Sequence, residues 1–351
     1  MRGGIAKKGK NYYVYLWIGG KKKWFSGAGS SKKKAQTILN EKVYEVQCGT
    51  YQEIKKTRFK EYALQWLEHY AKGKVRDTTY TSYEGIIKNH LNPVFGELWL
   101  SRITAMMMQK YITDRLQGRK AKTVVNEVVV LKEMFKHAVR WGYLKFNPAE
   151  YLERPRVEKE EMQILTPKEI KLWMEATDPE YKVLFKTALL TGMRKGELMA
   201  IQRTDIDTKN NQINVTKQLQ KGKFVPPKTK ASVRKIDIDP ALTLELKKYM
   251  LTRPHSELGL LFCNSLGKPI DYDNMIKRYY LLALKKAEVK KIRFHDLRHT
   301  YVALKLAQKD DMYYISRQLG HSSIKTTFDL YGHLQKTVHT ERALRVSEIL
   351  G

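Results

Sequence analysis

The segment from Glu153 to Gln163 (ERPRVEKEEMQ) carries charges of both signs, a proline and almost no apolar side chain. It has nothing to bury, so no core can run through it, and the chain must fold as separate bodies on either side. At about 100 to 200 residues per domain, a chain of 351 residues holds two or three such bodies, each able to bury its own core. The expected boundaries are 1–53, 54–155, a linker at 156–163, and 164–351.

Residues 11 to 18 (NYYVYLWI) are β-branched and aromatic, Gly19-Gly20 signals a turn, and Lys21 to Phe25 is a second short strand, so a β-hairpin is expected. Ser30 or Ser31 caps a helix running to about Gln47, which Gly49 stops. Lys21, Lys22 and Lys23 beside Trp24 suit a β-ribbon seated in a nucleic-acid groove, and equally an edge strand whose lysines block aggregation. From Thr57 to about Leu152 the period becomes helical: Phe59, Tyr62, Ala63, Trp66, Leu67 and Tyr70 recur at three- and four-residue spacing. Asp77 or Thr78 caps a helix that Asn92-Pro93 ends, Val124 to Val139 adds another stripe, and Met106, Met107, Met108 and Trp141 read as core. Beyond the linker, Thr166-Pro167-Lys168-Glu169 has the form of a capping box. Short strands are then expected near Gln212–Thr216, Phe224–Val225, Val233–Ile238 and Leu260–Phe262, followed by helices. The fold class is therefore multidomain and mainly α with small β-sheets: a sheet-plus-helix module, an all-helical domain, and a mostly α mixed domain.

The formal net charge is +30, and all three parts of the chain are basic. Solubility needs a net charge of only about 2 to 8 on a small domain, so extended contact with a phosphate backbone is the better reading. Cys48 and Cys263 are the only cysteines and support neither a disulfide framework nor a zinc spacing. No run of about 18 apolar residues occurs, so a soluble cytoplasmic chain with no membrane association is expected.

A phosphate-binding Gly-rich loop of the GxxxxGK[ST] kind is absent, so no ATP is implied. His295-Asp296-Leu297-Arg298-His299 has the histidine spacing of a zinc protease, but it lacks the glutamate base, and an Arg would be repelled by the metal. The same residues suit a phosphate better: His295 and Arg298 share a helix face, and Arg offers a planar fork of donors. Comparable groups stand at Arg194, just after Gly192 at a helix start, and at His321 in Leu319-Gly320-His321, with Tyr331 ten residues further on.

In this order (Arg, a Lys-bearing hairpin segment, HxxR, LGH, Tyr) the chain resembles the tyrosine recombinases, the phage integrases. The third domain carries the resemblance most strongly. Thr79 to Gly96 resembles the family's core-site DNA-binding domain more weakly, and residues 1–53 its arm-type DNA-binding domain. The resemblance implies that Arg194 and Arg298 clamp the scissile phosphate, that His295 and His321 add hydrogen bonds and move protons, and that Tyr331 is the nucleophile. It further implies a lysine that protonates the leaving 5′-oxygen. Pro227-Lys228-Thr229-Lys230 offers Lys228 as first choice and Lys230 as second, Lys230 being also a candidate DNA contact together with Lys21 to Lys23. Glu197 is read as holding the Arg194 turn and His299 as a packed structural histidine.

By the same resemblance the function is site-specific integration and excision of a mobile element, a prophage or an integrative conjugative element, without metal or cofactor. A Xer-like resolvase, a type IB topoisomerase and a DNA-binding protein without catalysis are the alternatives. The implied partners are double-stranded core and arm attachment sites, a homotetramer on DNA, and in some systems an excisionase and a DNA-bending protein. Residues 337–350 form a plausible amphipathic helix lent to a neighbouring subunit.

Overall fold

A computed structural model of the chain describes residues 2–49, 51, 56–158, 162–227 and 229–332. Lys228 and the segment 337–350 lie outside these. The chain forms two compact units, Met1–Lys159 and Glu160–Gly351.

In the first unit, the expected hairpin is part of a three-stranded antiparallel sheet, β1 (Gly3–Lys8), β2 (Asn11–Ile18) and β3 (Lys21–Phe25), with β2 central. The first strand, GGIAKK, has little strand propensity of its own, and pairing with β2 recruits it. Because directly opposed residues share a face, Ile5, Val14 and Phe25 point together toward Ala35, Ile38 and Leu39 of helix α1 (Lys32–Gln47). Ser31 caps α1, its hydroxyl accepting from the Lys34 amide. Tyr15, Trp17, Lys22 and Trp24 share the opposite face, where both tryptophans are exposed.

The helices that follow are α2 (Phe59–Trp66), α3 (Asp77–Ile86), α4 (Asn92–Phe95), α5 (Ala105–Gly118) and α6 (Ala121–Arg140). Phe59, Tyr62 and Trp66 pack on Leu131, Met134 and Phe135. The buried polar ends are satisfied across the core: Tyr62 donates to the Met134 carbonyl, and Trp66 Nε1 donates to His137 Nδ1 at 3.1 Å.

Three expectations fail here. Asn92-Pro93 does not end the helix. A wide π turn over Ile87–Leu91, with the Asn92 amide donating to the Ile87 carbonyl, carries the axis into α4, whose first turn needs no amide from Pro93. Asp77 is not the cap either; it occupies the first helical position after Arg76, where its carboxylate suits the helix dipole. Of the residues read as core, only Met108 is buried. Met106, Met107 and Trp141 are exposed, since neighbours on a helix point about 100° apart.

The second unit runs α7 (Pro167–Ala176), α8 (Pro179–Thr191), α9 (Lys195–Leu198), β4 (Ile206–Asp207), β5 (Gln212–Val215), β6 (Gln218–Gln220), β7 (Lys223–Val225), β8 (Arg234–Asp237) and α10 (Pro240–Thr252), then α11 (Tyr272–Met275), α12 (Leu281–Lys286), α13 (Asp296–Ala307), α14 (Met312–Leu319) and α15 (Ile324–Tyr331). The capping box forms as read: the Thr166 hydroxyl accepts from the Glu169 amide, and the Glu169 carboxylate accepts from the Thr166 amide at 2.7 Å. β4, β5 and β8 make one antiparallel sheet, and β6 and β7 a separate hairpin. Leu260–Phe262 is buried but makes only an isolated bridge from Leu260 to Gln202, the run being too short to support a ladder. Trp173, Phe185, Tyr280 and Phe294 form an aromatic centre of this unit. A smaller cluster of Tyr301, Val302, Ile315, Leu319 and Tyr331 seats α13, α14 and α15 together. Among the described residues, no helix is long and apolar enough to cross a membrane.

Candidate active site

Two glycines position the site. Helix α8 ends at Gly192 and α14 at Gly320, both in the left-handed conformation, with φ of 60° and 67°. A side chain at Gly192 would also stand 2.7 Å from the Tyr301 ring, so glycine is required there for space as well as for backbone angle. After each stop the chain turns sharply. The first turn makes Arg194 the residue that precedes α9, and the second releases His321 ahead of α15, which Ser323 caps.

Arg298, in the first turn of α13, ties these ends together. Its Nη1 donates to the Gly192 carbonyl and its Nη2 to the Leu319 carbonyl, each at 2.7 Å. These carbonyls belong to helix C-termini, where unsatisfied acceptors and the negative end of the dipole favour a cation. Arg194 Nη2 donates to the Gly320 carbonyl at 3.4 Å, which brings the second guanidinium to the same place. His321 holds Thr327 through Nδ1 at 2.8 Å. The rings of His295 and His299 meet edge to face at 5.3 Å. Tyr331, only 1 % exposed, places its Oη 2.6 Å from His299 Nδ1.

The charges are unbalanced. Arg298 is buried and forms no ion pair among the described residues. Burial, and then Arg194, pull its guanidinium below the ordinary range. Desolvation followed by His299 and Arg298 hold His295 at about 4, and desolvation followed by Arg298 and Arg194 hold His321 at about 4, so both rings are neutral at pH 7. Burial pushes the Tyr331 phenol up to about 12, against the pull of Arg298. An arriving dianion or phosphodiester would supply the missing negative charge.

Glu197 supports this site from behind. Its carboxylate takes the Arg194 amide at 3.1 Å, Arg194 Nη1 at 2.9 Å and Arg234 Nη2 at 3.0 Å. Arg234 in turn donates through Nε to the Gln318 carbonyl at 2.6 Å. The expected turn-holding role of Glu197 is thus visible, and Arg234 is the partner that the sequence reading missed. Its only signal was its place after the lysine segment. Burial would raise the Glu197 carboxyl, but Arg234 and Arg194 outweigh burial and hold it below the ordinary carboxylate range. The folded value lies below the unfolded one, so this stabilisation is complete above the unfolded carboxylate pKa and fades as pH falls through the folded value. Glu197→Ala strands two guanidinium groups and should cost about 3–5 kcal/mol, read as an earlier urea midpoint at pH 7. A loss below about 1 kcal/mol would mean that Arg234 finds another partner.

The candidate lysines fall in different places. Lys230 lies exposed in a short 3₁₀ turn, Lys230–Ser232, whose Ala231 carbonyl comes within 3.1 Å of the position a Cβ on Gly320 would take. Lys228 is outside the described residues, and the turn of the β6–β7 hairpin itself is Lys221-Gly222. Lys21 to Lys23 belong to the first unit and do not act as one group. The Lys22 ammonium sits 4.1 Å over the Tyr15 ring and 4.7 Å over Trp24, whereas Lys21 and Lys23 stand opposite Ile18 and Leu16, on the face toward α1.

Two guanidinium groups, one of them buried with no ion-pair partner among the described residues, and two neutral imidazoles gather around two helix ends beside a tyrosine, a setting suited to a phosphate-like anion. The comparisons with known proteins identify the class. The phage integrase family matches residues 163–337, and the phage integrase N-terminal SAM-like domain matches residues 58–115. The ICEBs1 integrase of Bacillus subtilis (strain 168) is 31% identical over 293 residues, covering 77% of this chain and 78% of that protein. A tyrosine recombinase XerC-like protein of Caldanaerobacter subterraneus subsp. tengcongensis is 28% identical over 374 residues, covering 95% of each. Among solved structures, the Tn1549 transposon integrase in complex with a circular intermediate DNA matches with a TM-score of 0.71 at 21% identity, over 82% of this chain and 99% of that one. The chain belongs to the phage integrase family, the tyrosine recombinases.

Proposed function

We propose that this chain is the integrase of a mobile element, a prophage or an integrative conjugative element, acting on double-stranded attachment sites in the bacterial cytoplasm. The observation that carries the reading is the meeting of Arg194, His295, Arg298, His321 and Tyr331 from four separate stretches of sequence around the Gly192 and Gly320 turns. In this reading Arg194 and Arg298 hold the non-bridging oxygens of the scissile phosphate, where charge grows in the transition state. The Tyr331 oxygen attacks phosphorus, forming a 3′-phosphotyrosyl bond and releasing a 5′-hydroxyl. The bond energy is kept, so a second 5′-hydroxyl can reverse the step and rejoin strands through a Holliday junction without ATP.

The domains divide the work: residues 1–53 read arm sites, 54–155 core sites, and 164–351 cut. The bare face carrying Tyr15, Lys22 and Trp24 suits groove contact, with cation and rings side by side. A lambda integrase tetramer bound to a Holliday junction has a similar fold, with a TM-score of 0.63 at 18% identity, and a homotetramer on DNA is the assembly proposed for this chain.

The test is a nicked duplex built from the direct repeats that flank the gene. The protein should be trapped on it, and mass spectrometry of the adduct should map the link to Tyr331. No adduct, or an adduct on another tyrosine, overturns the reading. In the same assay Lys228→Ala should regain most of its cleavage on a 5′-bridging phosphorothiolate, whose sulfur leaves without a proton. Rescue of Lys230→Ala instead would make Lys230 the acid.

A further inference from the structure

The hydrogen bond at Tyr331 has a partner that the roles above leave unused. His299 Nδ1 lies 2.6 Å from Tyr331 Oη, within short hydrogen-bond range. On the far side of the same ring, Nε2 is 4.0 Å from Asp296 Oδ1. The spacing arises from one helix turn, since Asp296 and His299 are three residues apart on α13, while Tyr331 comes from the last position of α15. All three are sealed from solvent, at 1 % exposure for Asp296, 8 % for His299 and 1 % for Tyr331, so no bulk water stands ready to take the phenol proton.

Resting on the assignment of Tyr331 as nucleophile, we propose that His299, oriented and charge-balanced by Asp296, is the base that takes the Tyr331 proton during DNA cleavage. The resting tautomer carries its proton on Nε2, facing the Asp296 carboxylate, and Nδ1 accepts from the phenol. As the bond from Oη to phosphorus forms, the proton passes to Nδ1 and the bond from phosphorus to the 5′-oxygen breaks. That oxygen receives its own proton from the lysine acid. On rejoining, the phenol oxygen leaves and takes the proton back from Nδ1, so the cycle is balanced with no added co-reactant. The transfer is concerted with attack, because the resting phenol holds its proton far more tightly than the imidazole would.

The groups that bear on His299 set its charge. Asp296 favours the protonated ring. Burial first, and then Arg293 and Arg298, disfavour it, and the His295 ring lies against it edge to face. Arg293 also grips both Asp296 oxygens, from 2.9 to 3.2 Å, which fixes the carboxylate and shares part of its charge. His299 is therefore neutral near pH 7, the form a base requires, and its protonation on acidification should shut cleavage down below the ordinary histidine range.

The experiment measures single-turnover covalent attachment to the nicked duplex between pH 5.5 and 10. His299→Asn keeps an acceptor near the Nδ1 position but cannot carry the proton. It should cut about 10²-fold more slowly than wild type at pH 7 and recover about tenfold per pH unit as the phenol, held at about 12, ionises before attack. The wild-type rate should instead be flat above neutrality. A rate and profile for His299→Asn that match wild type overturn the proposal. If that variant melts early, wild type bearing Tyr331→3-fluorotyrosine decides. An acid limb that stays where it was supports His299 as the titrating group, and a limb that drops with the phenol pKa overturns it. Tyr331→Phe is run beside them: adduct formation by that variant would reject the nucleophile assignment itself, whereas an inert Tyr331→Phe with a normal His299→Asn rejects the relay alone.

Discussion

Tyr331→Phe will bind core-site DNA and fail to become joined to it. The substitution removes one oxygen from a ring that is otherwise held by Tyr301, Val302, Ile315 and Leu319, so α15 keeps its seat. The cost to folding is the hydrogen bond to His299, which leaves a buried Nδ1 without its donor, at about 1–3 kcal/mol. A two-unit protein should survive that loss. The phosphate clamp is untouched, because Arg298 takes its geometry from the Gly192 and Leu319 carbonyls and makes no use of Tyr331. Covalent product should therefore fall by roughly 10⁴-fold or more, the scale on which removal of a nucleophile acts, while the midpoint of a DNA-binding titration moves by less than about threefold. An adduct at a rate near wild type would assign the nucleophile elsewhere.

Arg298→Ala should slow cleavage by about 10²- to 10³-fold, the range for loss of one preorganised donor where charge develops. This is the deepest of the site cations; it faces two neutral carbonyls and, among the described residues, has no carboxylate within ion-pair distance, so most of its charge is available to a phosphate. The same change leaves the Gly192 and Leu319 carbonyls without their donors. Some loss of stability, on the order of 2 kcal/mol, must accompany the kinetic effect. The two can be separated by measuring cleavage well below the melting midpoint and comparing Arg298→Lys, which restores a charge but cannot span both carbonyls. If Arg298→Ala cleaves within a few-fold of wild type, the residue is structural only.

What could be read in advance follows the range of the interactions. Ser31 ahead of α1 and the Thr166-Glu169 box ahead of α7 are decided by residues three apart, and both formed as read. The strand Gly3–Lys8 had no local signal, because its pairing with β2 supplies what its glycines and lysines lack. The π turn at Ile87–Leu91 escaped for a related reason: proline punctuates a regular helix, but a widened turn just ahead of it leaves the axis intact. At the site, the order of Arg, HxxR, LGH and Tyr along the chain carried the reading, since guanidinium and imidazole groups recurring in that order suit a phosphate. Their partners were hidden. The contact of His299 with Tyr331 spans 32 residues and depends on how α15 docks on α13, which no periodicity of either helix encodes.

The tie between Arg298 and the Gly192 carbonyl reaches across 106 residues of chain. During synthesis the ribosome delivers the two helical stops and the guanidinium that joins them at widely separated times, and residue 331 comes later still. The first unit, which is basic throughout, is complete by then and free to fold, because domains fold as they emerge. Under the proposed division of labour, a nascent chain would be able to touch DNA well before it could break it. A premature stop or a proteolytic cut anywhere between Gly192 and Tyr331 would leave the first unit whole and the proposed cutting centre without part of its residues.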